Sequence, residues 1–386
     1  MHILTPETAA AIADGVYLLQ NDDLATLKQF GRTLGCEGRF TVPANGRFEG
    51  RSGALLWKPL SGFGYVAMGE GAHAGEMLLA TRGTAMLADW VTDAAIAVQR
   101  GPGGLPVHAG FNETWKSFAP ALREFLRGRN PSRVHCIGHS LGGALAMLNA
   151  DFLTSNGVAD VALYTFGAPR TGDGVFAHSL TARVGAEKVF RVSNPVDPVA
   201  MIPLFPFWHL PFGGRGHVIQ RTADLPISFA GHSMVKSYVP GVAGKDWGAL
   251  HDPGTSALDV SAWLRHSAQG HGSFLIGSAR LLAMIADALG WLMKTAGKVV
   301  LGSINLQLSV GLTVLDQVAW LLSRAAHLSA QIGLHVKALI SAISRFLGRK
   351  TLEVGDVTVS FLRWLLGLLF NSLRAAAQRA LTTLGR

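Results

Sequence analysis

The stretch Val134-His135-Cys136-Ile137-Gly138-His139-Ser140-Leu141-Gly142-Gly143 decides how the rest of the chain is read. A mainly apolar run reaches a Gly-x-Ser-x-Gly turn and continues into the helix-forming Ala144-Leu145-Ala146-Met147-Leu148. The order reads as buried strand, sharp turn and helix, with Ser140 at the apex. Gly138 and Gly142 stand where a side chain would block the turn, so the serine Oγ projects above the sheet. The helix that follows aims backbone N–H groups and its positive dipole end at the spot where an oxyanion would form. A Gly-rich turn carrying an ordinary N-cap serine is the bland alternative. It leaves unexplained why the incoming strand is largely apolar on both faces, as a central parallel strand is.

Outward from this elbow, strands and helices alternate. Thr5-Pro6-Glu7 opens a helix to about Leu19, with a capping threonine and a proline suited to the first turn. A second helical pattern covers Asp22–Phe30. Residues 54–58, 64–67 and 76–81 read as strands between Gly/Pro/Ser turns. Helical patterns recur over Asp89–Gln99 and Asn112–Arg127, and strands over Arg133–Ile137, Val161–Phe166 and Val189–Ser193. The alternation predicts an α/β fold with a mostly parallel central sheet and an antiparallel N-terminal portion. A Gly/Ser/His/Pro-rich region at 241–272 marks a boundary, giving an α/β domain over 1–255 and an all-helical region over 256–386.

Charge is unevenly spread. Residues 271–386 hold 12 Lys/Arg against 4 Asp/Glu, so nearly all of the net +9 lies there. Apolar stripes at helical spacing run through Leu328, Ile332, Val336, Leu339, Ile340, Ile343 and Leu347, and through Phe361, Leu362, Leu365, Leu366, Leu369, Phe370 and Leu373. A basic, apolar helical region fits an anionic membrane surface; a bundle packed on the α/β domain is the alternative. Val299–Leu315 is uncharged but too short and polar for a spanning helix. No Arg/aromatic motif accompanies the charge, which excludes nucleic acid as a partner. The two cysteines, Cys36 and Cys136, suggest no disulfide framework. The first residues lack a basic n-region and a long apolar h-region, so the expectation is cytoplasmic synthesis without a Sec signal and export by a signal-less route.

A serine hydroxyl needs a base to take its proton and an acid to orient that base. Downstream, Asp197 is the best acid: the strand Arg191-Val192-Ser193 runs into Asn194-Pro195-Val196-Asp197-Pro198, placing a carboxylate at a strand's C-terminal edge. A solvated Asp–Pro turn is the alternative. His232 and His217 are the serious candidates for the base, and His209 is weaker. His139 reads as an orienting or packing neighbour.

Gly138–Gly143 resembles the elbow of the class 3 lipases, the fungal-lipase-like branch of the α/β-hydrolases. Thr81-Arg82-Gly83-Thr84 with Asp89-Trp90-Val91-Thr92-Asp93 resembles their oxyanion and lid segment. Val107–Phe111, Thr165–Arg170 and the Asp197-Pro198-Val199 loop agree with further segments, in the same order. The resemblance covers about residues 75–235. It implies an α/β-hydrolase fold, with Ser140 as nucleophile, Asp197 as acid, His232 as base and His217 as the alternative base. It also implies an oxyanion hole from Thr84 and the Leu141 N–H. Acyl transfer by such a set requires no cofactor and no metal.

Two segments favour a lipid ester. Met86, Leu87 and Trp90 lie in the place of the family's lid, an ordinary surface helix being the alternative. Residues 203–212 carry four aromatics, Phe205, Phe207, Trp208 and Phe212, and no formal charge, so the loop lines an acyl groove or meets a membrane or partner. The expected activity is ester hydrolysis on glycerolipids, with phospholipase A ahead of triglyceride lipase because of the basic tail. The competing class is a membrane-disrupting helical protein with a secondary esterase domain. The combination also resembles antibacterial lipase effectors, which implies an immunity or chaperone protein as a further partner.

Overall fold

The computed structural model describes residues 2–20, 36, 38–50, 61–83, 98–220, 226–252, 257–268, 278–301, 313–349 and 356–384. The chain enters through α1 (Pro6–Gly15), whose first turn is capped by the Thr5 hydroxyl accepting from the Thr8 N–H at 3.2 Å. A 3-10 turn over Val16–Gln20 follows, so the helix expected to reach Leu19 changes pitch after Gly15. Next come β1 (Phe40–Thr41), β2 (Arg47–Gly50), β3 (Ser61–Gly69) and β4 (Glu76–Thr81). Short strands β5 (Val98–Arg100) and β6 (Pro106–His108) lead into α2 (Ala109–Leu126). The central unit is β7 (Arg133–His139), α3 (Leu141–Ser155) and β8 (Asp160–Phe166). Then come β9 (Gly172–Asp173), α4 (Gly174–Val184), β10 (Val189–Ser193), β11 (Phe207–Trp208) and β12 (His217–Val218).

The main sheet runs β1-β3-β4-β7-β8-β10-β12, with β2 also paired to β3. Every pairing from β4 to β12 is parallel, and β1 to β4 are joined antiparallel. This is an α/β-hydrolase architecture with helices on both faces. Strand β7 is buried along its length beyond Arg133, because β4 and β8 flank it and helices cover both faces. Its side chains alternate faces: Val134 and Cys136 join the core under α2 and α3, while Ile137 joins the core under α1. The sequence does not announce a second sheet, ordered β11-β9-β6-β5. Its strands are two or three residues long, too short to show alternation. The helical pattern over Asp89–Gln99 ends differently than expected, since Val98–Arg100 is a strand. The rest of that pattern, the helix at 22–30 and the strand at 54–58 lie outside the described residues.

The C-terminal part is helical: α5 (Ala257–Ala268), α6 (Ala279–Leu301), α7 (Val314–Leu328), α8 (Ala330–Phe346) and α9 (Val359–Leu384). Thr313 and Asp316 form a reciprocal capping box on α7. The two apolar stripes face inward. Ile332, Val336, Leu339, Ile340 and Ile343 are buried, as are Leu362, Leu365, Leu366, Leu369 and Leu373, whereas Leu328 is exposed. They belong to one continuous apolar cluster that also contains Leu145 and Leu148 of α3 and Phe176 of α4. Most of the apolar surface that suggested a bilayer therefore packs against protein. Among the described residues, no helix is long and apolar enough to cross a membrane.

Candidate active site

The turn after β7 holds Ser140 at φ 59°, the one non-glycine residue with positive φ among the described residues. Two glycines make this turn feasible. A Cβ on Gly138 would sit 2.2 Å from the Gly142 carbonyl oxygen, and one on Gly142 would sit 2.2 Å from the Thr81 oxygen. Ser140 is the N-cap of α3, yet its hydroxyl makes no capping bond. It faces His232 instead, with Oγ 2.9 Å from Nε2.

His232 ends a 3-10 turn over Phe229–His232, and its Nδ1–H donates to Asp197 Oδ2 at 2.8 Å. That bond places the imidazole proton on Nδ1 and leaves the Nε2 lone pair toward the serine. Asp197 lies in the loop after β10. Its Oδ1 accepts from the Val199 N–H at 2.8 Å, and its Oδ2 also accepts from the Tyr238 hydroxyl at 2.6 Å. Ser140, Asp197 and His232 are all fully buried. A carboxylate so enclosed needs its oxygens satisfied, and three donors do this.

Two tyrosines and a histidine extend the arrangement. Tyr238 closes the one-turn π-helix Met234–Tyr238; burial and then the Asp197 charge push its phenol well above the usual tyrosine range, so it acts as a donor. His139 Nε2–H donates to the His232 backbone carbonyl at 2.8 Å, and Tyr17 donates to His139 Nδ1 at 2.7 Å. Burial, reinforced by the neighbouring His232, holds His139 well below the usual imidazole range and so keeps it neutral. Gly167, at φ +54°, lies against the same cluster: a Cβ there would meet Asp197 Oδ2 at 2.7 Å, Tyr238 Oη at 2.9 Å and His232 Nδ1 at 3.1 Å. Sequence reading missed Tyr17, Tyr238 and Gly167. The only available signal was the position of Gly167 inside the Thr165–Arg170 motif.

The other expected site residues are placed as follows. Leu141 is buried as the first residue of α3, where N–H groups lack intrahelical acceptors. His217 sits in β12 against Phe190, Trp247 and His251, and the structure does not bring it to Ser140. Burial lowers its pKa to about 4. Thr84, Met86, Leu87 and Trp90 lie outside the described residues. Phe207 is buried in β11 near His108, and Phe205 packs beside Trp208. Trp208 lies against α6: a Cβ on Gly290 would come within 3.2 Å of its ring, and the Lys294 ammonium is 4.5 Å from the ring centroid. The partner that this loop meets is thus a helix of the same chain.

A strained serine between a parallel strand and a helix, with an aspartate from the loop after a later strand and a histidine from a 3-10 turn beyond it, defines the nucleophile-elbow arrangement of the α/β-hydrolase fold. Residues 78–207, about a third of the chain, match the family model for lipase (class 3). It is similar to secreted mono- and diacylglycerol lipase 1 of Fusarium solani, 34% identical over 134 residues, 33% of this chain and 39% of the relative. It is also similar to secreted mono- and diacylglycerol lipase A of Penicillium cyclopium, 33% identical over 148 residues, 36% of this chain and 47% of the relative. The chain thus spans less than half the length of these relatives. Among solved structures, the nonglycosylated LIP2 lipase of Yarrowia lipolytica superposes with a TM-score of 0.43 at 23% identity, covering 58% of this chain and 81% of that one. The relatives from F. solani and P. cyclopium are named as secreted, which overturns the expectation of a signal-less cytoplasmic origin.

Proposed function

We propose that this chain is a serine carboxylic-ester hydrolase acting on acyl esters of glycerolipids. Ser140 Oγ attacks the ester carbonyl while His232 Nε2 takes its proton, and Asp197 stabilises the imidazolium that forms. The Leu141 N–H, at the positive end of α3, receives the negative charge on the former carbonyl oxygen, and Thr84 supplies the second donor. The alcohol leaves with the proton held by His232, and water, activated by the same nitrogen, releases the fatty acid from Ser140. The continuous contact from Ser140 Oγ to His232 Nε2 at 2.9 Å and on to Asp197 at 2.8 Å carries this reading.

The names of the relatives favour mono- and diacylglycerols as substrates. Phospholipids are the second reading, supported by the 12 Lys/Arg against 4 Asp/Glu in residues 271–386, a charge that favours an anionic surface. In this account residues 1–255 carry the chemistry and 256–386 brace it. The test compares fatty-acid release from monoacylglycerol emulsions and from phosphatidylglycerol vesicles by the wild type and by Ser140→Ala. Release from at least one substrate, lost in the variant, is the expected result; equal release by both proteins defeats the assignment.

A further inference from the structure

At the far end of β7 from Ser140 lies a second polar cluster that the reaction does not use. His73, from the turn between β3 and β4, Glu76, which opens β4, and His135 of β7 are all buried. Glu76 Oε2 is 2.6 Å from His73 Nδ1 and 2.9 Å from His135 Nε2, and the ligating atoms of all three lie within 4.8 Å of one another. Five residues of extended strand separate His135 from Ser140, about 16 Å at the usual rise.

We propose that His73, Glu76 and His135 bind one borderline transition-metal ion of the Zn2+ type, forming a structural clamp. Two imidazole nitrogens and one carboxylate oxygen suit such an ion, whereas Ca2+ and Mg2+ need sets dominated by oxygen. Tetrahedral ligands at about 2.0–2.1 Å from a metal stand about 3.3 Å apart, so the 2.6 Å and 2.9 Å contacts must lengthen by roughly 0.7 and 0.4 Å. Metal–ligand bonds replace bonds to the ion's water, and no redox step is involved. Each imidazole would ligate through one ring nitrogen and carry its proton on the other.

The surroundings fit the second half of a metal site. His135 Nδ1 is 3.3 Å from the Tyr164 hydroxyl, a ready acceptor once the proton moves to that nitrogen. Arg133 Nη1 lies 3.5 Å from the other Glu76 oxygen, Oε1. His2 is exposed beside the cluster, its ring centroid 5.8 Å from that of His73, and the fourth position is left to water. Bound metal would join the turn before β4 to β4 and β7.

The full chain, stripped with a chelator, is titrated with Zn2+ by calorimetry and with Co2+ by visible absorption. One tight equivalent, a tetrahedral Co2+ spectrum without a thiolate band and a higher melting temperature are expected. Glu76→Gln and His73→Asn should abolish the tight equivalent, and Tyr164→Phe should weaken it about 10- to 100-fold. Uptake that survives both ligand substitutions marks surface histidines and overturns the proposal. If those variants do not fold, the wild type decides alone: failure to take up one equivalent, or an octahedral Co2+ spectrum, overturns it. Because the readouts are binding and melting, loss of this site and loss of the esterase assignment are separable.

Discussion

Replacing Gly167 by alanine tests whether the arrangement around Asp197 sets the rate. The new Cβ would stand 2.7 Å from Asp197 Oδ2, 2.9 Å from Tyr238 Oη and 3.1 Å from His232 Nδ1. Carbon-to-heavy-atom contacts are comfortable near 3.5–4.0 Å, so these atoms must retreat by roughly 0.5–1 Å. That displacement falls on the hydrogen bond that orients His232. Misplacing a reacting group by about 1 Å costs on the order of 10²-fold in rate, so kcat should fall by about that factor with KM little changed. The left-handed backbone at φ +54° adds about 1–2 kcal/mol of strain for a non-glycine residue. Gly157→Ala separates the two effects, because Gly157 has φ +63° and nothing within 4 Å of its added carbon. It should lose about the same 1–2 kcal/mol in denaturant unfolding while keeping full activity. The assay is initial-rate hydrolysis of a short p-nitrophenyl ester alongside urea unfolding. A Gly167→Ala enzyme with kcat within threefold of wild type would refute the reasoning.

Tyr17→Phe leaves the buried Nδ1 of His139 without its donor; unfolding free energy should drop by about 1–3 kcal/mol, and kcat should fall up to about tenfold as the His232 carbonyl loses a well-oriented partner. Unchanged kcat would reduce His139 to a packing role. Trp208→Ala removes the ring between Gly290 and Lys294 and should destabilise the chain by about 2–4 kcal/mol, read by denaturant unfolding. Unaltered stability with a shifted acyl-chain preference would instead place that loop in the substrate groove. For pH, burial lowers the His108 pKa to about 4, and its Nδ1 accepts from the Gly110 N–H at 3.2 Å. In the unfolded chain this histidine takes up a proton below about pH 6.5. Between those values the unfolded state binds more protons, so stability should fall as pH falls, by up to about 3 kcal/mol. His108→Asn should flatten that slope in urea unfolding measured from pH 7 to pH 4.

What could be read from the sequence followed from how local the signal was. The elbow is legible because Gly138 and Gly142 are fixed by contacts within a few residues and with the adjoining strand β4. The parallel sheet is legible because a strand covered on both faces is largely apolar, as Val134, Cys136 and Ile137 make β7. Asp197 stands out by its place after a strand, and His232 over His217 by opening a helix-like segment and by family order; the structure separates them because β12 fixes His217 beside β10 while the 3-10 turn swings His232 over Ser140. Tyr238 and His139 act across 41 and 93 residues of sequence, respectively, and nothing local marks such bonds. The C-terminal stripes declared helices but not what they face. An apolar stripe is the same whether it meets lipid or protein, and here most of it meets protein.

The two supports of His232 differ in kind, and together they explain why the site tolerates complete burial. On the side-chain face, Asp197 fixes the ring through Nδ1 and is itself held by Tyr238 and the Val199 N–H. On the backbone face, His139 holds the His232 carbonyl and is fixed in turn by Tyr17. His139 also belongs to β7, the strand that launches Ser140, so nucleophile and base hang from one rigid element. A change in the loop carrying His232 must break the His139 bond before it can lengthen the 2.9 Å contact with Ser140. His139→Phe, which keeps the ring and removes both bonds, should therefore lower kcat more than Tyr17→Phe does. Equal rates in the two variants would mean that Asp197 alone positions the base.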